Sequence, residues 1–389
     1  MSVSERQLSI LMAGDYPDDP RLGSSKVVHK LHEEFTTLGH RCDVMWSADI
    51  GARPASRQIR QLVSPWLAGR AIVRREGRAK YDVLDIASAE GLFMGLFDLI
   101  PDRSRAAYIC RSHGIEHLNY ARMLGDSDAG LRAKSWSRRV WYPASRLSQV
   151  AAAARLADAM LVTNNVDRQY AIDRGWQPPD RVRVVPHGIS SRFIIHTPPP
   201  DAPRGAGVLF CGSWDYVKGT PYLCQAMQRL HSRGRPVRLT VLGPGVPPAT
   251  VLAAFAPGAR EFVTVIDRAP EERVMAEYRR HDVLAFPSTY EGFGLVVIEA
   301  MSQGLPVVAT PVGCAASLVR DGDTGYRVAP RDADALASAI ARALDNPAEA
   351  RRLASRARDA VSGLTWRATA EQTLDLYRST LAEVRSAPQ

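Results

Sequence analysis

Two carboxylates bracket a segment that is otherwise glycine and apolar. In YEGFGLVVIEAMSQGLPVVATPVG, residues 290–313, Glu291 and Glu299 stand eight positions apart. DVLAFPS before it reads as a strand, TYEGFG as a loop and GLVVIEAMSQ as a helix. No Ser, Thr, Asp or Asn occupies the N-cap; the helix starts from Gly292-Phe293-Gly294. The first helical N–H groups have no partner within the helix, and that end carries partial positive charge. Glycine lets another group approach the backbone. Gly292, Phe293, Gly294 and Leu295 therefore suit a phosphate. Glu299, more than one turn further on, suits two vicinal hydroxyls, as acidic residues do for ribose in dinucleotide folds. Glu291 lies on the other side of the phosphate and suits the hydroxyls of whatever the phosphate carries. Sugar, phosphate, ribose is the order of groups in a nucleotide sugar. A surface loop with two solvated glutamates is the competing reading, and periodicity alone does not separate them.

The elements needed to hold such a site recur along the chain. LSILMA, RCDVMW, YDVLDIAS, AAYICRS, AMLVTN and RVRVVP read as strands with helical segments between them. In KVVHKLHEEFTTLG the apolar positions Val27, Val28, Leu31, Phe35 and Leu38 follow helical spacing, and Gly39 ends it. SSRFIIHTPPPDAPRGAG, with Pro198 to Pro200, cannot continue regular structure and reads as a linker. GVLFCG, VRLTVLG, EFVTVI, DVLAFPS and LPVVAT then restart the strand rhythm, with helices expected near 220–233, 271–280, 294–303 and 332–344. Strands alternating with helices imply mainly parallel sheets covered on both faces. The reading is α/β: two Rossmann-like, doubly wound domains facing across a cleft, with ligands beyond the strand carboxyl ends. The expected division is 1–190, a linker at 191–205, and 206–370.

The 389 residues carry a net charge of +9, unevenly spread. Residues 53–80 hold seven Arg and one Lys against one Glu; 131–155 hold six basic residues, no acid, and Trp136, Trp141 and Tyr142. Solvated helix faces are one reading; a surface that meets anionic lipid or a charged acceptor is the sharper one. No zinc-finger, RNP or basic-zipper pattern points to nucleic acid. Five scattered Cys form no CxxC pair, and MSVSERQLSI has no signal-peptide profile, so a cytoplasmic chain is expected, with peripheral contact at the inner face of the membrane.

PSTYEGFGLVVIEAMSQGLPVVATPVG resembles the E-x7-E signature of retaining glycosyltransferases of family 4, which have the GT-B fold. The likeness extends over nearly the whole chain. VRDGDTGYRVAP, RVRVVPHGIS (with His187 where Asn is usual) and LTWRATAEQTLDLYRS are each similar to family segments; the last resembles the closing helix, which implies that a helix at about 371–389 returns to the first domain. FCGSWDYVKGTPYL resembles the loop whose two cations grip the donor diphosphate. Lys218 matches the lysine, while Ser213 stands where Arg is usual and can donate a neutral hydrogen bond. The resemblance places His113, in SHGIEH, against the donor sugar near the reacting carbon, with Glu116 and His117 as acceptor-side neighbours. Gly23, in DPRLGSSK, matches the first glycine-rich loop, close to donor phosphate. SHGIEH also fits an inverted zinc-protease pattern, but His113 directly follows a strand. Asp321-Gly322-Asp323 resembles a metal motif of another glycosyltransferase fold, yet reads as a turn before Thr324-Gly325.

The resemblance implies transfer of a hexosyl group from a UDP- or GDP-sugar to a hydroxyl of a glycan, lipid-linked or small-molecule acceptor. It implies retention at the anomeric carbon and no metal or other cofactor. His113, Lys218 and Glu291 would be catalytic; Gly23, Ser213, Lys218, Glu291 to Leu295 and Glu299 would bind donor. The alternatives are a nucleotide-sugar epimerase on the same scaffold and an inactive scaffold subunit.

Overall fold

A computed structural model of the chain describes residues 6–51, 56–93, 106–128, 130, 136–195 and 204–386. The chain divides into two compact units, 1–186 with 366–389, and 187–365. The sequence reading put these divisions at 190 and about 370.

The first unit opens with β1 (Ser9–Ala13), α1 (Gly23–Thr37) and β2 (Arg41–Met45). The long helix α2 (Arg57–Ala79) leads to β3 (Val83–Ala87) and β4 (Ala107–Arg111). Helices α3 (Glu116–Asp128), α4 (Trp136–Tyr142) and α5 (Ser148–Leu156) follow. The last two are joined through a π-helical turn, Pro143–Leu147. Then come β5 (Ala159–Val162), α6 (Asn165–Asp173) and β6 (Val182–Val184). Among the described residues the strands form one parallel sheet in the order β2-β1-β3-β4-β5-β6. β1, β3 and β4 bury nearly every side chain. That is why they read as continuous apolar runs rather than alternating ones.

The second unit begins with α7 (Ser191–Ile195). This corrects the linker expectation for those residues. Phe193 is fully buried against Tyr278, and burying that ring outweighs the loop chemistry around it. The proline run at 198–200 lies outside the described residues. β7 (Val208–Cys211), α8 (Thr220–Ser232), β8 (Leu239–Leu242), α9 (Pro248–Leu252), β9 (Val263–Ile266) and α10 (Glu271–Arg280) form one half. β10 (Val283–Phe286), α11 (Leu295–Ser302), β11 (Val307–Ala309), α12 (Ala315–Leu318) and β12 (Tyr326–Arg327) form the other. Two amphipathic helices, α13 (Ala333–Asp345) and α14 (Pro347–Val361), close the unit. The sheet order is β12-β11-β10-β7-β8-β9, all parallel. Finally α15 (Trp366–Ser386) belongs to the first unit, where Tyr377 is fully buried beside Phe35 of α1.

Candidate active site

In the second unit the first strand, β7, lies beside the fourth, β10. The connections run away from this seam in opposite directions. Such a switch point opens a crevice at the strand carboxyl ends. The two loops that leave the seam carry Lys218 and Glu291, and they are joined to each other. Thr289 donates its N–H to the Val217 carbonyl at 2.8 Å, and its hydroxyl donates to the same oxygen at 3.2 Å. Gly219 has φ +73°, and a Cβ there would come within 1.9 Å of the Pro287 carbonyl oxygen. Only glycine lets the lysine loop settle on the glutamate loop. The product is an ion pair between Lys218 Nζ and Glu291 Oε1, with side chains 26% and 12% exposed. Ser288 Oγ stands 3.4 Å from the same carboxylate oxygen.

The helix after Glu291 begins as the sequence suggests. Its N-cap, Gly294, sits in the left-handed region at φ 89°, and no side chain caps the first turn. The Phe293 carbonyl accepts from Cys314 N–H at 2.7 Å, and the Phe293 ring is buried against His187, centroids 4.8 Å apart. Phe293 thus contributes no side chain to the loop surface. Glu299 lies one turn inside α11, only 5% exposed, and its Oε2 accepts from the Tyr278 hydroxyl at 3.1 Å. That hydroxyl also lies 3.7 Å from Cys211 Sγ, at the end of β7. Glu299 therefore sits beside the same seam as Lys218. Ser213, two residues past β7, is exposed.

In the first unit the seam falls between β1 and β3. After β1 the chain folds Tyr16 back over Gly14, where a Cβ would come within 2.3 Å of the ring. Tyr16 meets His113 edge-on, centroids 5.8 Å apart. His113 directly follows β4 by way of Ser112 and is part-exposed. Its pKa is lowered to about 4, first by desolvation and then by the Arg111 guanidinium. At neutral pH it is an uncharged imidazole. Gly23 opens α1 with nothing within 4 Å of a Cβ built on it.

Residues 22–193 match the model of Glycosyltransferase Family 4, and 205–346 match that of Glycosyl transferases group 1. The chain belongs to glycosyltransferase family 4. It is 32% identical over 246 residues to a D-inositol 3-phosphate glycosyltransferase of Nocardia farcinica, covering 59% of this chain and 54% of the relative. The chain thus spans about half the length of that curated relative. Among solved structures, the sucrose-phosphate synthase of Thermosynechococcus elongatus superposes with a TM-score of 0.75 at 22% identity, covering 97% of this chain and all of that one. Anabaena HepE in complex with UDP-glucose superposes with a TM-score of 0.66 at 16% identity, covering 94% and 98%. The fold is GT-B, two parallel six-stranded sheets with flanking helices.

The family 4 chain places the remaining expected residues less simply. Glu116 opens α3, and Arg146 (2.8 Å), Tyr142 (2.9 Å) and Ser88 (3.1 Å) already occupy its carboxylate. Arg146 also reaches buried Glu90 at 3.0 Å. Glu116 is thereby fixed as part of a buttress at the end of β3. His117 packs on Trp176 (4.8 Å) and near Tyr170 (6.1 Å), and desolvation lowers its pKa to about 4. Its ring is engaged with these aromatics. Asp321-Gly322-Asp323 forms a turn, with Gly322 N–H bonded to the Gly325 carbonyl at 3.0 Å and Asp323 paired to Arg320 and Arg356. Among the described residues no cluster of His, Cys, Asp and Glu has the makeup of a metal site.

Sequence reasoning missed a buried triad next to His113. Arg111 Nε donates to both Asp85 oxygens at 2.9 and 3.0 Å, and Tyr377 of α15 hydrogen-bonds Asp85 and lies 3.3 Å from Arg111 Nη2. Asp85 and Arg111 are each 1% exposed. The signal was there: Asp85 within the apolar run VLDIA and Arg111 at the end of AYICR each call for a partner.

Proposed function

We propose that the chain transfers a hexosyl group from a nucleoside diphosphate sugar to a hydroxyl acceptor, with retention at the anomeric carbon. The Lys218–Glu291 pair at the β7/β10 seam carries this reading, because it sets a cation for diphosphate beside an anion for sugar hydroxyls. The first-turn amides of α11 would hold a phosphate and Glu299 the ribose hydroxyls. The acceptor oxygen would attack the anomeric carbon from the face the diphosphate leaves. The bond from that carbon to the phosphate oxygen breaks, and the departing phosphate takes the acceptor proton. Lys218 stabilises the negative charge that grows on the leaving group. His113, kept neutral, would hydrogen-bond the sugar near the reacting carbon, and Gly23 would lie close to donor phosphate. No divalent cation is needed in this scheme, because Lys218 and the helix amides supply the positive charge.

UDP is favoured over GDP by the UDP-glucose complex of the structural neighbour HepE. The acceptor would be a glycan, a lipid-linked molecule or a small molecule, met by a chain in peripheral contact with anionic membrane at its cytoplasmic face. Among the described residues no helix is long and apolar enough to cross a membrane. A thermal-shift screen of nucleoside diphosphates and their sugars tests the reading, followed by mass spectrometry of products with candidate acceptors. Stabilisation by a UDP-sugar and a retained-configuration product are expected. Donor converted without any acceptor would indicate an epimerase instead, and indifference to every nucleotide would end the proposal.

A further inference from the structure

We infer that the cavity between β2 and α2 is a headgroup site for an anionic phospholipid, and that the outward row of α2 beside it rests in the bilayer interface. This names the membrane partner of the function proposed above and rests on that reading, although the observations behind it lie away from the donor residues.

The cavity measures about 710 Å³, and Arg41, Arg70, Arg74 and Arg75 line it together with Asp43 and Asp49. β2 is the edge strand, so the cavity opens beside the sheet rather than at the β1/β3 seam. Four guanidinium groups face two carboxylates, and both carboxylates are engaged. Asp43 accepts from Arg41 at 2.9 Å and from the Tyr81 hydroxyl at 2.7 Å; Asp49 accepts the Trp46 N–H at 2.8 Å. Among the described residues neither Arg70 nor Arg74 has a carboxylate partner, and both are exposed. Arg70 lies over the Trp66 ring, 5.7 Å from its centroid. Forked N–H donors without counter-ions around a cavity suit the oxygens of a phosphate.

The same helix carries an apolar row. Ile59, Leu62 and Trp66 are 52%, 39% and 48% exposed. Leu62, Trp66, Arg70 and Arg74 follow one another at four-residue spacing, so the row turns from apolar to basic along one face. Val140 and Trp141 of α4 are exposed as well. The helical run that continues α4 comes to α2, where Gln149 of α5 donates to the Leu62 carbonyl at 3.2 Å. Soluble surfaces leave large hydrophobes exposed singly. Three along α2, followed on the same helix by arginines with no carboxylate partner among the described residues, match a helix lying in a lipid interface, with tryptophan at headgroup level. A free phosphate would satisfy the arginines and leave the apolar row bare. An acidic peptide would do the same. A bilayer surface satisfies both.

The test floats the full chain, without donor or acceptor, on phosphatidylcholine vesicles with and without phosphatidylglycerol. Binding to the anionic vesicles, weakened by salt, is expected. Arg70→Gln and Arg74→Gln should each lower that affinity roughly fivefold. Trp66→Ser should lower it on the same vesicles. Thermal unfolding at the wild-type temperature shows that each variant is folded. Inorganic phosphate is the free-anion control. Thermal stabilisation by phosphate with no flotation would overturn the inference. Equal binding to both vesicle types, or flotation indifferent to the arginine substitutions, would also overturn it. Because no nucleotide is present, failure here leaves the transferase proposal standing. A chain that floats but transfers nothing separates the two in the other direction.

Discussion

Glu291→Gln separates the two roles that meet at the β7/β10 seam. In the free chain Lys218 is held by the Glu291 carboxylate, so a diphosphate must share or displace that partner. Two unit charges in contact are worth about 4 kcal/mol at an effective dielectric of 20 and about 1 kcal/mol in water. The side chains are 26% and 12% exposed, which puts the pair between these limits. Gln keeps a hydrogen bond to the ammonium and loses only the charge. The net release to an incoming diphosphate is then about 1 kcal/mol, or roughly fivefold tighter UDP binding. Transfer should move the other way. A carboxylate hydrogen-bonded to sugar hydroxyls is worth about 1.5–3 kcal/mol, so kcat/KM should fall roughly 10- to 150-fold. Calorimetry with UDP and rate measurements with the UDP-sugar give the two numbers on the same variant. If UDP binding weakens in step with kcat/KM, Glu291 supports the fold of the loop rather than the sugar. If neither changes, the pair is a surface ion pair and the proposed site is wrong.

Glu299→Ala should weaken UDP binding by about 2 kcal/mol through lost bonds to the ribose, while leaving inorganic pyrophosphate binding intact; an equal loss for pyrophosphate would contradict the ribose role. Lys218→Ala should cut kcat/KM by roughly 10²- to 10³-fold, the cost of removing one donor to developing charge, with single-turnover rates as the check. Gly219→Ala forces a side chain into a left-handed backbone and against Pro287, and should cost about 2 kcal/mol or more in urea unfolding. Gly23→Ala meets nothing within 4 Å, so its unfolding midpoint should not move while donor or acceptor affinity drops; unchanged affinity would remove Gly23 from the site. His113 and His117 have folded pKa values lowered to about 4, below the unfolded value, so the unfolded chain takes up protons first as pH falls. The stability tied to them is whole above about pH 6.5 and is lost toward pH 4. Both rings keep some solvent contact, so the joint loss between pH 7 and 5 is about 2 kcal/mol, and a urea midpoint that does not shift over that range would refute their burial.

The second unit was the more legible of the two because its site is local. Glu291, Gly294 and Glu299 lie on one loop and one helix, so spacing alone placed them on consecutive turns. Lys218 is 73 residues from Glu291, and only the resemblance joined them. The physical link between them, Gly219 lying on Pro287, is a backbone contact with no periodicity to reveal it. The first unit hid more. Glu116 and His117 looked free for chemistry because a sequence shows neighbours in the chain and not partners in space. Arg146 lies 30 residues from Glu116, and Trp176 lies 59 from His117. The strand pattern gave the six strands of the first unit and five of the six in the second, missing the two-residue β12, and it gave no strand order, which is what locates the seams. Helix α14 was also unread, its alanine-rich buried face being too weakly apolar to register beside α13.

The two units solve the placement of charge in opposite ways, and the difference follows from what each proposed role needs. Lys218 and Glu291 stay partly exposed on glycine-held loops, paired to each other, so that incoming phosphate and hydroxyl groups can exchange for existing partners with little desolvation cost. Arg111 and Asp85 are sealed inside the first unit, where a buried ion pair adds little stability over apolar side chains of the same size. What the buried pair does supply is position. It joins β3, β4 and the last helix of the chain through Tyr377, two residues from His113. The Arg111 charge also disfavours a second cation beside it, which adds to desolvation in keeping that imidazole neutral. A neutral imidazole can both donate and accept a hydrogen bond, as a sugar hydroxyl requires, whereas an imidazolium could only donate. Desolvation, reinforced by Arg111 and partly opposed by Asp85, therefore sets the protonation state that the proposed role of His113 assumes.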